Sequence, residues 1–302
     1  MESPKKPKLI VIVGPTGSGK TSLSLLLAKQ FEGEVISADS RQVYKKLDVG
    51  TEKITEAEMS GIPHHLIDVC DINTIYTAFD FKRDAEKAIS LIIQNGHVPI
   101  IAGGTFFYID TLLGTMNSAP VPPNRVLREE LEKKSTEELF AQLQQQDQTR
   151  ASNIDHHNRR RLIRALEIIE ELNVVPQATI EVECPYDVLK IGITIDKEVL
   201  RTRLHARAQG ALERGLIEET KKLLAEGISK ERLSEIGHEY RIVMEYLYGT
   251  FDENVMLKKF EEKNWQYAKR QLMWLKRDEN IQWFKREEEK AILEVVSTFL
   301  EN

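Results

Sequence analysis

The chain has 302 residues, 41% of them hydrophobic and 30% charged, with a formal net charge of −6 at pH 7. At ~150 residues per domain that length supports one large domain or two smaller ones with a sizeable core, and the composition is that of a globular protein. The acidic balance argues against nucleic-acid binding by overall charge, and the two cysteines, Cys70 and Cys184, exclude a multi-cysteine zinc module and give no sign of a disulfide framework.

In chain order, MESPKKPK has no apolar signal-peptide core, and no later run approaches the ~18 apolar residues of a membrane span, so a cytoplasmic protein is expected. KLIVIVG reads as a buried parallel strand, continuously aliphatic and stopped by glycine. VGPTGSGKTS follows with the spacing G-x-x-x-x-G-K-[ST], which puts Gly14, Gly19, Lys20 and Thr21 in the positions of a phosphate-cradling loop. A chain of this size matches that pattern by chance roughly once in 100. A helix is expected from about Thr21 to Phe31, then a strand in EVISADS ending near Ala38, and a later one in HVPIIAGGT ending at Gly103 and Gly104. Alternating strands and helices predict a doubly wound parallel α/β sheet.

At 118–124 the proline-rich SAPVPPN breaks this rhythm and introduces polar helical stretches, REELEKKSTEELFAQLQQQD and HHNRRRLIRALEIIEELN. LKIGITI at 189–195 returns the chain to the sheet, and long amphipathic helices are expected from there to the end. Residues 1–117 and 188–302 should therefore form the core, and 118–187 a helical insertion carried on it.

In a parallel sheet the carboxyl ends of the strands share one edge, where ligands bind. The phosphate loop (Gly14, Pro15, Thr16, Gly17, Ser18, Gly19), the run Asp39-Ser40-Arg41-Gln42, and Gly103-Gly104-Thr105 each follow a strand, so they should meet there. Backbone N–H groups and a helix N-terminus attract phosphate oxygens, Lys20 adds a full charge, and Thr21 is placed to coordinate Mg²⁺. Three uses are open to Asp39: holding metal, accepting a proton from a nucleophile, or capping the helix that follows. Arg41 beside it favours chemistry, because a cation there meets phosphate or keeps a carboxylate ionised. Gly103-Gly104 lets the backbone approach a ligand closely. His64 and His65 are adjacent, hence not on one helix face, and suit packing or a substrate wall better than a metal site.

Two basic runs qualify the negative net charge: NRRRLIR, with Arg159, Arg160, Arg161 and Arg164, and NWQYAKRQLMWLKR, with Lys269, Arg270, Lys276 and Arg277. Arg270 and Arg277 are expected on one helix face. Such runs are usually solvated faces, yet two of them beside aromatics make an RNA groove a serious rival.

Together the segments GPTGSGKT, ISADSRQVY, GIPHHLID, the GGT of GGTFFY, RRRLIRALE, GLIEE and YAKRQLMWLK resemble the tRNA dimethylallyltransferases (tRNA isopentenyltransferases) of bacterial type. They span nearly the whole chain in the family's order. The resemblance implies a P-loop kinase-like core with a helical insertion, which hold a tRNA anticodon stem-loop between them. It implies transfer of the dimethylallyl group from dimethylallyl diphosphate to N6 of the adenosine 3′ to the anticodon, with Mg²⁺ assisting the departure of pyrophosphate.

The same resemblance implies Asp39 as base, with Lys20 and Thr105 beside the reacting groups, and Ser40, Arg41 and Gln42 near the target adenosine. Arg128, Arg160, Arg161, Arg164, Lys269 and Arg270 are then the RNA-facing cations. An ionised carboxylate suffices as base, because the adenine amine becomes acidic only as its new bond forms. EIGHEY departs from the family's AIGYKE at His238 and Glu239, Ala211 stands where a methionine is common, and no cysteine/histidine finger follows. A monomer is expected. The alternatives are an adenylate isopentenyltransferase acting on free nucleotide, an ATP-dependent small-molecule kinase, and an RNA-binding protein without turnover.

Overall fold

Among the described residues, six strands, β1 (Lys8–Val13), β2 (Gly33–Ala38), β3 (His64–His65), β4 (Val98–Gly103), β5 (Asp187–Thr194) and β6 (Ile281–Lys285), form one sheet in the order β3-β2-β4-β1-β5-β6. Every pairing is parallel. The computed structural model describes residues 5–116, 119, 121, 123–172 and 183–302, so the expected proline-rich turn at 118–124 lies partly outside the described residues.

β1 is central because an unbroken aliphatic strand needs cover on both faces. Successive side chains alternate, so Ile10 and Ile12 enter one cluster and Leu9, Val11 and Val13 the other. α1 (Lys20–Gln30) covers the first face with Leu23 and Leu27. After the short α2 (Glu56–Met59), α3 (Ala78–Gln94) and α4 (Phe106–Leu112) cover the second with Phe81, Ile89, Ile92, Ile109 and Leu112.

Four helices then leave the sheet: α5 (Arg125–Leu131), α6 (Thr136–Gln146), α7 (Gln148–Asn153) and α8 (Arg159–Leu172). They share a hydrophobic cluster of their own, built on Leu131, Leu139, Leu143, Leu162, Ile163 and Leu166. The starts of α5, α6 and α7 are marked by side-chain caps at Asn124, Ser135 and Asp147, each satisfying an otherwise unpaired helix N–H.

The return through β5 leads to α9 (Lys197–Glu213), α10 (Leu216–Ala225), α11 (Lys230–Ile236), α12 (His238–Leu247) and α13 (Glu253–Leu275). Leu216, Leu233, Tyr240, Val243 and Phe260 pack from these helices against Val43, Tyr44 and Leu47. The C-terminal helices thus clamp the loop that carries Asp39.

The expected run of helices to the end is interrupted by β6, after which α14 (Glu289–Glu301) packs Ile292 and Val296 into the cluster on the α1 face. β6 escaped the sequence pattern because IQWFK is a short edge strand with only Ile281 buried. α13 ends at Leu275, which leaves Arg277 in the turn beyond the helix and off the face that carries Arg270. No described helix is long and apolar enough to cross a membrane.

Candidate active site

The phosphate loop is shaped by glycines that adopt left-handed backbone, Gly17 at φ 80° and Gly19 at φ 97°. Inside it, Ser18 Oγ is buried without a hydrogen-bond partner among the described residues. A Cβ added to Gly14 would come within 2.7 Å of that hydroxyl. An orphaned hydroxyl in a glycine cradle suits an oxygen-rich anion.

Lys20 Nζ donates to the carbonyls of Gly14 and Pro15, both at 2.9 Å. Burial and then the Arg207 cation lower its pKa to about 7, against the opposing pull of Asp39. A diphosphate restores the charge, so its affinity should fall as pH rises above about 7, with about one proton taken up on binding. Pyrophosphate calorimetry in buffers of different ionisation enthalpy measures that proton, and the Lys20→Met variant should lose it.

Asp39 Oδ1 accepts the N–H of Arg41 at 2.9 Å and of Gln42 at 3.4 Å. No helix follows for Asp39 to cap; its carboxylate instead holds the turn that begins at Ser40. It also lies close enough to Lys20, Arg41 and Tyr267 for its charge to act on each. Thr105 stitches the ends of β2 and β4 together: its Oγ1 accepts the Ser40 N–H at 2.9 Å, and its N–H donates to the Ala38 carbonyl at 3.0 Å.

Gly103 and Gly104 leave room for the protein itself rather than for a ligand. A Cβ on Gly103 would sit 2.2 Å from the Ala38 carbonyl oxygen, and one on Gly104 would sit 2.5 Å from Gln271 Nε2. Gln271, buried on α13, accepts the Thr16 N–H at 2.7 Å and donates to the Gly104 carbonyl at 3.0 Å. It binds the phosphate loop to the β4 loop, so the three loops do meet at one sheet edge.

Sequence reasoning misses Gln271 because what stands out in the YAKRQ stretch is its cations. It also misses Arg207, whose Nη1 donates to Thr16 Oγ1 at 2.7 Å and whose Nε pairs with Glu52. Glu239, noted only as a departure, holds Arg41 Nη1 at 2.6 Å in a mostly buried ion pair. His65 bonds the buried Glu34 at 2.6 Å, while His64 lines a cavity of about 430 Å³ beside Thr21, Leu25 and Gln42. Those placements agree with packing for the one and a cavity wall for the other.

Among the expected RNA-facing cations, Arg160, Arg161, Lys269 and Arg270 are exposed. Arg128 and Arg164 are engaged internally instead. Arg128 grips Glu167 through Nε at 2.6 Å and Nη2 at 2.8 Å, and Arg164 Nη1 reaches the same carboxylate at 2.8 Å. The signal was present: Glu167 follows Arg164 by three residues, one helical turn beyond a run read as purely basic.

This geometry sets an anion cradle and the Asp39 carboxylate at one sheet edge. The model of the family described as IPP transferase matches residues 42–278. This chain belongs to the IPP transferase family. It is 38% identical over 286 residues to a tRNA dimethylallyltransferase of Alkaliphilus oremlandii, covering 92% of this chain and 91% of that relative. It is 39% identical over 288 residues to a tRNA dimethylallyltransferase of Halalkalibacterium halodurans. A crystal structure of a full-length tRNA isopentenylpyrophosphate transferase from Bacillus halodurans superposes with TM-score 0.73 at 35% identity, over 98% of this chain and 97% of that one. A eukaryotic dimethylallyltransferase acting on tRNA gives TM-score 0.74 at 31% identity, over 89% of this chain and 70% of that one. The IPP transferase match begins at Gln42, but the relatives and structures extend the likeness over nearly the whole chain.

Proposed function

We propose that this IPP transferase moves the dimethylallyl group of dimethylallyl diphosphate to N6 of the adenosine 3′ to the anticodon of tRNA. The observation that carries this reading is the bond pair of Gln271, which sets the phosphate loop against the loop of Thr105 and so against Asp39. The adenine amine attacks C1 of the donor, the C1–O bond breaks, pyrophosphate leaves, and the N6 proton passes to Asp39. Negative charge grows on the leaving group, where Lys20, Arg207 and the phosphate-loop N–H groups not already bonded within the protein stabilise it.

Thr21, exposed at the start of α1, offers its hydroxyl to Mg²⁺. Among the described residues no cluster of three or more His, Cys, Asp or Glu is arranged around a metal, which suits an ion that takes most of its ligands from phosphate and water. Bound there, Mg²⁺ supplies further neutralisation of the departing diphosphate.

On the RNA side, the target base must leave its stack to reach the sheet edge. Ser40, Arg41, Gln42 and Thr105 receive it, and Arg160, Arg161, Lys269 and Arg270 engage the backbone of the anticodon stem-loop. Residues 118–187 form the RNA-gripping insertion on the core of 1–117 and 188–302, in a protein that acts as a monomer in the cytoplasm.

Incubation of unmodified tRNA with the donor, followed by digestion and mass analysis of nucleosides, tests donor, acceptor and product together. One adenosine heavier by a dimethylallyl group, with pyrophosphate released, is the expected result. Preferential prenylation of free AMP, or ADP formed from ATP with no prenylation, would overturn it.

A further inference from the structure

The loop between β2 and α2 is built around one carboxylate. Glu219 on α10 accepts the N–H groups of Asp48 at 2.9 Å, Val49 at 2.7 Å and Gly50 at 2.9 Å, and the Tyr240 phenol donates to it at 2.9 Å. Consecutive amides converging on one anion form a nest, here closed by the protein's own acid. Gly50 is required, since a Cβ there would fall 2.5 Å from the Tyr240 ring. Lys53 adds a second tie through the Tyr44 carbonyl at 2.9 Å and Asp48 at 2.7 Å. The GLIEE segment thereby has a physical task.

What this bracing presents is Glu52. Its backbone is left-handed, at φ 49°, a conformation that strains any residue with a Cβ. Its carbonyl accepts from Gln42 Nε2 at 3.1 Å, which ties it to the segment that follows Asp39. Its carboxylate takes no part in bracing the loop and pairs instead with Arg207, with Arg214 at 3.8 Å from the other oxygen. Arg207 in turn bonds Thr16 within the phosphate loop. A guanidinium held on two sides is aimed; held on one, it swings through its rotamers.

We propose that Glu52 is a positioning residue for the donor: presented by the loop that Glu219 braces, its carboxylate fixes the Arg207 guanidinium across the phosphate loop to meet the diphosphate. This rests on the reading that a diphosphate donor occupies that loop.

Glu52→Gln in the full chain keeps the shape and an acceptor oxygen but removes the charge. The KM for dimethylallyl diphosphate and the Kd for pyrophosphate should rise ~10-fold and kcat should fall as well, because Arg207 also stabilises the departing charge, while the KM for tRNA and the melting temperature stay near those of the parent. Adding Glu52→Gln to an Arg207→Lys variant should then change the donor KM less than about twofold, because the effect runs through Arg207. An unchanged donor KM, a lower one (a carboxylate that competes with phosphate), or additive effects in the double variant would each overturn the proposal. If Glu52→Gln fails to fold, the pyrophosphate Kd of Tyr240→Phe, which removes one bond of the brace, should rise, and no rise would overturn it. The parent's own prenylation of tRNA is measured alongside. Its absence would sink the donor reading, whereas an active parent matched by Glu52→Gln sinks only the positioning role.

Discussion

Asp39→Asn should keep the fold and the affinity for tRNA while lowering the single-turnover rate of prenyl transfer by ~100-fold or more. The asparagine is the informative substitution because the proposed base is the same carboxylate that holds the turn. Oδ1 already accepts the Arg41 and Gln42 N–H groups, and an asparagine carbonyl accepts both equally well. What asparagine cannot do is take the N6 proton as the C–N bond forms. Asp39→Ala loses both tasks, so the difference between the two variants measures the turn and the asparagine effect measures the base. A parent-like rate in Asp39→Asn, with a fall only in Asp39→Ala, would leave Asp39 only the turn to hold. Saturating donor and single-turnover conditions keep product release from hiding the chemical step.

The parts of this site that were legible in the sequence are those made by contiguous residues. The phosphate loop, the DSRQ turn and the GGT turn each declare themselves because local backbone demands, glycine conformations and strand ends, are written over a few adjacent positions. The parallel sheet was legible for the same reason: β1 and β4 are aliphatic runs long enough to exclude other uses. The pieces that hold those loops together were not legible. Gln271 lies 255 residues from the Thr16 amide it accepts, and Arg207 lies 191 residues from the Thr16 hydroxyl. A glutamine inside an amphipathic helix carries no mark of what its buried face will meet. The arginine run shows the converse, where sequence suggested a surface and packing supplied an internal partner.

That internal partner sets the second large effect: Glu167→Ala should destabilise the α5–α8 bundle by ~2–3 kcal/mol, less than the usual cost of breaking a fully buried ion pair because Arg128 and Arg164 are partly exposed. The Glu167 side chain is 0% exposed and accepts from Asn124 N–H at 2.7 Å as well as from both arginines. Alanine would leave two guanidinium groups facing each other across a cavity. A cluster of this size has little stability to lose, so denaturant unfolding of the insertion should shift far below that of the sheet.

The pH dependence has a definite sign. Burial raises the Glu167 pKa, but Arg128, Arg164 and the Asn124 N–H more than offset it, so the folded value lies below that of an ordinary glutamate. A depressed carboxylate contributes fully above its unfolded pKa, roughly 4.3, and the contribution is lost as pH falls through the folded value. The parent's bundle should therefore weaken in acid below about pH 4, and Glu167→Ala should flatten that dependence. Arg128→Ala separates bracing from RNA contact. As a brace, Arg128 should be needed for bundle stability, and the slope of tRNA affinity against salt should stay at the parent's value. A shallower slope with unchanged stability would return Arg128 to the RNA surface. An equally stable Glu167→Ala bundle would mean the carboxylate only neutralises the two arginines, without holding α5 to α8.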